Sequence, residues 1–346
     1  MLGTYQCINP VGLLSGAAAS KAVSEGVAFP LAGSEVAFLS LELFRKLPDG
    51  DFECRVVPAS SSNIDLTGLT EKRAAFGGVG LNKPILVGIL NVTPDSFSDG
   101  GDFWRPKDAI SRAIALVADG ADIVEIGAES TRPGAAPLEE REELERLLPV
   151  VEATVAEGIR VSVDTRRANV MKSVIDAGVC IINDVTALTW DPESIGSIAS
   201  SGVSVVLMHM QGNPRTMQND PKYNLASAEI YEWLSQRVEA CVGGGIPRER
   251  IAVDPGFGFG KTIDHNKEVL DRVGMFHGIG CALSIGISRK SFLGTITGAR
   301  VPKQRVSATI AATIIALCHG VQIHRVHDVA AVKQAIDVWN ALTSGY

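Results

Sequence analysis

From Pro84 onward, short apolar runs rich in Val and Ile alternate with longer stretches in which apolar residues recur every three or four positions. The runs are 85–92, 121–128, 160–164, 180–185, 203–210, 251–255, 282–288 and 322–329. Near-continuous apolar strands are what a parallel sheet covered on both faces requires. The stretches 106–119, 138–156, 166–177, 226–242 and 303–319 carry helical spacing. Gly120, Gly178, Gly202 and Gly320 stand where a helix would hand over to the next strand, as a C-terminal capping glycine does. Eight strand–helix units over about 260 residues predict an α/β fold, a (β/α)8 TIM barrel. An open doubly wound sheet would carry a Gly-rich dinucleotide fingerprint after its first strand, and none stands there.

Residues 1–80 lack this rhythm. Within them 34–47 and 51–58 alternate as two strands around a Pro-Asp-Gly turn, and Ser60–Asn63 reads as a linker. The expectation is a small N-terminal extension over 1–80, a hairpin with flexible flanks, joined to a barrel over 81–346.

A barrel places its chemistry at the carboxyl ends of its strands. Here each run ends on polar or ionisable residues: Asn91, Glu129, Asp164, Asn183, His209, Asp254, Ser288-Arg289-Lys290 and Arg325-Val326-His327. One such residue is as well explained by helix capping; eight around one mouth are not. Asp164, Asn183 and Asp254 are acceptors suited to a planar heterocycle with adjacent N–H donors, such as a 2-amino-4-oxo-pyrimidine. Arg132, Arg289, Lys290, Arg325 and His327 suit an anion. Asp184 and Asp328 are read as structural, His209 as a wall residue, and His265, His277, His319 and His324 as surface or packing residues. The glycines of 256–260 lack the spacing and helix context of a phosphate loop.

Composition narrows the classes further. A net charge of −7 argues against nucleic acid as partner, no apolar run is long enough to span a bilayer, and the six cysteines contain no CxxC pair. Met1–Ala19 has no positive flank ahead of its mild apolar stretch, so the cytoplasm is the expected compartment.

The strand-end loops closely resemble those of the dihydropteroate synthase family. The matching stretches are NVTPDSFSDGG from Asn91, GAESTRPGA from Gly127, SVDT from Ser162, INDV from Ile182, MHMQGNPRTMQ from Met208, DPGFGFGK from Asp254, SRKSFLG from Ser288 and RVHDV from Arg325, in family order. Residues 1–80 fall outside the resemblance. It implies the condensation of 6-hydroxymethyl-7,8-dihydropterin pyrophosphate with p-aminobenzoate, releasing pyrophosphate. It implies Asp164, Asn183, Asp254 and Lys290 on the pterin with Met208 lining its pocket, and Asn91, Arg325 and His327 on the pyrophosphate and its Mg2+. Thr131, Arg132 and Ser288 fall toward p-aminobenzoate, and Phe259 walls that second pocket. The loops with Phe97, Asp99 and Arg132 close over the substrates, and Asp99, Arg132, Lys290, Arg325 and His327 are the expected catalytic set. Family members form homodimers, and the apolar stretch Ala308–Leu317 is the expected partner face. The family often has Gly-Gly-Glu-Ser where this chain has Gly127-Ala128-Glu129-Ser130. With no insertion between Ser130 and Val151, the chain is expected to be sulfonamide-sensitive. A pterin-binding methyltransferase domain would not need the Ser288–Lys290 and Arg325–His327 sets, and a non-catalytic scaffold would have lost site residues.

Overall fold

The computed structural model describes residues 7–61, 63–73, 75–92, 106–129, 138–213 and 216–344. The N-terminal part runs β1 (Cys7–Ser15), α1 (Gly16–Ser24), β2 (Phe29–Pro30), β3 (Val36–Lys46), β4 (Phe52–Pro58) and the one-turn α2 (Thr67–Thr70). A short hairpin, β5 (Ala75–Phe76) and β6 (Val79–Gly80), leads into the barrel strands β7 (Ile85–Asn91), β8 (Ile123–Gly127), β9 (Val161–Asp164), β10 (Ile181–Asp184), β11 (Ser204–Met208), β12 (Ile251–Asp254), β13 (Ala282–Ile285) and β14 (Ile323–Val326). They are all parallel and close in sequence order, β14 pairing back onto β7 through Ile323 and Ile85. Around them lie α3 (Pro106–Ala118), α4 (Glu140–Ala156), α5 (Ala168–Asp176), α6 (Ser194–Ser201), α7 (Ala226–Gly243), α8 (Ile263–Asp271), α9 (Ser291–Thr297), α10 (Val306–Cys318) and α11 (Val329–Thr343). Every residue of β8 and β11 is buried, as strands covered on both faces must be. The β5–β6 hairpin seals the amino end of the barrel: Phe76 and Leu81 pack on Ile85, Ile123, Ile181, Val206 and Ile323.

The N-terminal segment is more than a hairpin with loose flanks. β3 and β4 form the hairpin, Lys46 opposite Phe52, but β1 pairs along the other edge of β3 from Cys7 to Ser15, and β2 pairs with it at Phe38. Pro10 is tolerated because β1 is an edge strand whose outer N–H groups need no partner. Leu31, Phe38, Leu41, Leu43 and Leu69 give this sheet a core of its own. It is fastened to the barrel by Glu42, which accepts from Asn9 (3.0 Å) and from Arg272 Nε and Nη2 (3.1 Å each). β1 also packs against α10, so part of the apolar density at 308–317 faces this sheet.

Arg73 makes a second fastening. Its buried guanidinium donates to the carbonyls of Glu71 (2.6 Å), Gly68 (2.6 Å), His277 (3.0 Å) and Cys281 (3.1 Å). Arg73→Met would leave those carbonyls unpaired. We expect it to cost about 3 kcal/mol, less than the sum over four charge-assisted bonds because water can reach the outer carbonyls. Urea unfolding measures this, and a loss under 1 kcal/mol would mean the guanidinium is not a fastening.

Candidate active site

The strand register gathers the expected acceptors on one floor. Asn91, Gly127 and Asp164 are paired neighbours across β7, β8 and β9; Asp164 is paired with Asn183 on β10; and Met208 is paired with Asp254. Gly127 matters here as an absence of side chain. A Cβ on it would stand 3.4 Å from Asp164 Cβ and 4.0 Å from Asn91 Oδ1, in the space those two groups face. Asn183 is fully buried, and neither its amide nitrogen nor its oxygen has a partner. A buried amide with both ends unmet is costly unless a ligand meets it. Asp254 is 1% exposed; its Oδ1 accepts from the Gly256 N–H (2.7 Å) and its Oδ2 lies 3.5 Å from Arg325 Nη1.

Arg325 is held in the barrel from two sides. Nε donates to both Glu125 oxygens (3.1 and 3.0 Å) and Nη2 to Oε1, while Nη1 faces Asp254. Gly286 makes room for this: a Cβ there would come within 2.8 Å of Nη1. Glu125 was not among the residues expected from the sequence. The signal was present, because a carboxylate inside the apolar run Ile-Val-Glu-Ile-Gly cannot be buried without a cationic partner. Burial works against the charge on Arg325, yet Glu125 beside it holds the guanidinium above its ordinary pKa. Burial pushes Asp164 up to about 8, Glu125 adding to the effect and Arg325 opposing it. Burial likewise raises Asp254, against the pull of Arg325.

On the far side stands Lys290, its ammonium 4.1 Å from the centre of the Phe259 ring. Burial, then the charge on Arg325, lowers it to about 8. Ser288 Oγ accepts from the His327 backbone N–H (3.2 Å) and lies 3.1 Å from its Nδ1. Burial, reinforced by Arg289, lowers His327 to about 4, so the ring is neutral near pH 7.

Arg289 departs from the sequence expectation of a cation for the anion site. It has φ 57° and donates from Nε (2.8 Å) and Nη2 (2.5 Å) to Asp328. Asp184 is structural, accepting from Thr186 and Leu188 N–H groups and the Thr186 hydroxyl. His277 and His324 are buried packing residues bonded to the His319 and Val321 carbonyls. His209 lines the wall, edge-on to Trp233 at 5.0 Å, with Nδ1 3.0 Å from Lys261 Nζ. Lys261, buried and lowered to about 7 by burial, is the second site residue not singled out beforehand. Phe97, Asp99, Thr131 and Arg132 lie outside the described residues. Among the described residues no three His, Cys, Asp or Glu side chains group as a metal site.

Comparison with known proteins meets this geometry. A family model described as pterin binding enzyme matches residues 87–327. The dihydropteroate synthase of Escherichia coli strain K12 is 43% identical over 265 residues, covering 76% of this chain and 93% of its own. The dihydropteroate synthase of Xanthomonas albilineans, solved with 4-aminobenzoic acid, superposes with a TM-score of 0.72 at 41% identity, over 76% of this chain and 94% of that one. That of Yersinia pestis, solved in a sulfonamide drug complex, gives 0.72 at 41% identity, over 76% and 95%. A parallel eight-stranded barrel, a floor of carboxylates and an unmet buried amide, and likeness over nearly the whole length of these relatives lead to one conclusion: this chain belongs to the pterin-binding enzymes and, among them, to the dihydropteroate synthase family.

Proposed function

We propose that the floor formed by Asp164, Asn183 and Asp254 holds the polar edge of the dihydropterin ring, and that the observation carrying this is the fully buried, unmet Asn183 amide, paired in register with Asp164. The chain is a transferase of folate synthesis, condensing 6-hydroxymethyl-7,8-dihydropterin pyrophosphate with p-aminobenzoate to give 7,8-dihydropteroate and pyrophosphate. Met208 backs the ring, and Lys290 meets its carbonyl side. Arg325 Nη1 and the His327 ring face the leaving pyrophosphate, whose departure with the C–O bonding pair leaves a cation spread over the electron-rich ring. The carboxylates beneath oppose that charge. The arylamine nitrogen then forms the new C–N bond and sheds a proton to solvent. Ser288 and Phe259 line the arylamine side; Thr131, Arg132 and Asp99, outside the described residues, are assigned to the arylamine and to the cation by the family resemblance alone.

Mg2+ keeps several waters and takes most other ligands from substrate phosphates, so it asks one or two oxygens of the protein. The Asn91 amide oxygen, at a strand end beside Asp164, fits that role. When bound, the ion neutralises charge on the leaving group.

The test is pyrophosphate release from the pterin pyrophosphate with Mg2+ and p-aminobenzoate. Release is expected to require the arylamine and to be inhibited by sulfamethoxazole in competition with it. A folded protein that binds pterin without releasing pyrophosphate would move the reading to a pterin-binding methyltransferase, and full activity at saturating drug would remove the proposed arylamine pocket. A homodimer and a cytoplasmic location complete the reading. Light scattering that gives the monomer mass at micromolar concentration would remove the dimer.

A further inference from the structure

We infer that Lys261 is a positioning residue for the condensation. Its ammonium ties His209, just beyond β11, to the Phe259 carbonyl, and so fixes the Phe259 ring beneath Lys290 at the seam between the pterin and arylamine pockets. The inference rests on the function proposed above.

The loop from Gly256 to Gly260 has three glycines, all with positive φ (71°, 80° and 60°), and composition alone would leave it free to move. The structure instead fixes it through several of its backbone polar atoms. The Gly258 N–H donates to Asn266 Oδ1 (2.8 Å), the Gly258 carbonyl accepts from Gln218 Nε2, and the Gly260 carbonyl accepts from the Tyr223 hydroxyl (3.0 Å). The carbonyl between them, that of Phe259, is held by Lys261 Nζ at 3.0 Å. The same nitrogen reaches His209 Nδ1 at 3.0 Å, and the His209 backbone N–H donates to the Asp254 carbonyl at 2.9 Å. Lys261 therefore couples the floor strands to the tip of the loop.

The tip packs against Lys290. The Phe259 ring lies 4.1 Å from the ammonium, and a Cβ on Gly258 would stand 3.2 Å from Lys290 Cδ. Lys261 is 3% exposed, and an ammonium is an expensive filler for such a place unless its donors matter. An apolar side chain of the same length would pack as well and hold neither partner.

The experiment compares Lys261→Met, Lys261→Gln and Phe259→Leu, singly and combined, in the pyrophosphate-release assay. Lys261→Met removes the bonds to the Phe259 carbonyl and to His209 Nδ1, and by loosening the Phe259 tip is expected to raise KM for p-aminobenzoate about tenfold while kcat changes less than about threefold. Because Lys261 acts through Phe259, adding Lys261→Met to Phe259→Leu is expected to change KM by less than about twofold further. Lys261→Gln keeps a donor for the Phe259 carbonyl and is expected to recover part of the loss. Multiplying losses in the double variant, or a Lys261→Met KM within about twofold of the parent, would overturn the inference. If Lys261→Met does not fold, the same cycle built on Lys261→Gln decides it. Absence of release from the unsubstituted protein would instead overturn the synthase reading, and this inference with it.

Discussion

Asp254→Ala is expected to lower kcat/KM for the pterin pyrophosphate by about three orders of magnitude. The estimate follows from two charge-assisted bonds to ring N–H donors, at roughly 2 kcal/mol each and tenfold per 1.4 kcal/mol. Asp254 is 1% exposed and its Oδ2 has no hydrogen-bond partner, so that oxygen's bonding capacity is reserved for a ligand. Its removal also changes the field of the site. Asp254 supports the charge on Lys290, which burial and Arg325 push down; without it Lys290 loses protonation near neutrality and the carbonyl side of the ring is weakened too. Stability carries a separate signature. The folded-state pKa of Asp254 lies above its unfolded value, so the folded protein binds the extra proton and loses stability as pH rises through that window. Asp254→Ala should lose less stability than the parent over the same rise in pH. Calorimetric titration with pterin, pyrophosphate release and thermal melts across that pH window on one preparation check all three parts. Activity within tenfold of the parent would remove Asp254 from the pterin floor, and a large drop in melting temperature would make its role structural.

What could be read in advance follows the strength of the local pattern. The eight barrel strands were legible because burial on both faces leaves little room for polar residues, as in Val-Val-Leu-Met at the end of β11. α4 and α7 were legible by their length and spacing. α6, with the sequence Ser-Ile-Gly-Ser-Ile-Ala-Ser-Ser, and the two-turn α9 were not, because so few apolar residues give no period to read. β1 was hidden by Pro10 and Gly12, breakers that an edge strand accepts. At the site, Asp164 and Asp254 stood out as the last residues of their strands and Asn183 as the next to last of its own. Arg289 was misjudged because adjacent residues point apart: the left-handed backbone at Arg289 turns it to Asp328 while Lys290 faces Phe259. Lys261 lay in a quoted motif, but nothing in the spacing says that its ammonium folds back over its own loop. Glu125 was the avoidable omission, since a buried acid in a strand centre announces a partner.

That partner relation sets the largest expected effect on folding. Glu125→Ala should cost about 3–5 kcal/mol, the usual result of removing one side of a buried pair and leaving the other charge uncompensated. Glu125 is 3% exposed and carries three of the Arg325 contacts, and its Oε2 also receives the Ser162 hydroxyl at 3.5 Å. After truncation the guanidinium has Asp254 on one side and a void on the other, so it should tilt toward Asp254 and occupy the oxygen that the pterin needs. Activity should therefore fall together with stability. The two variants share one neighbour, Arg325, and differ in what they leave it: Asp254→Ala keeps the three Glu125 contacts, and Glu125→Ala removes them. A combined Glu125→Ala, Arg325→Met variant separates these causes. If the cost comes from the stranded charge, the double variant should unfold at a higher urea midpoint than Glu125→Ala alone; if it comes from lost packing, the second truncation should lower the midpoint further. The first outcome would mean that Glu125 holds Arg325 in place for the leaving pyrophosphate and is retained for that orientation, because a buried ion pair can be exchanged for well-packed apolar residues at little cost to the fold.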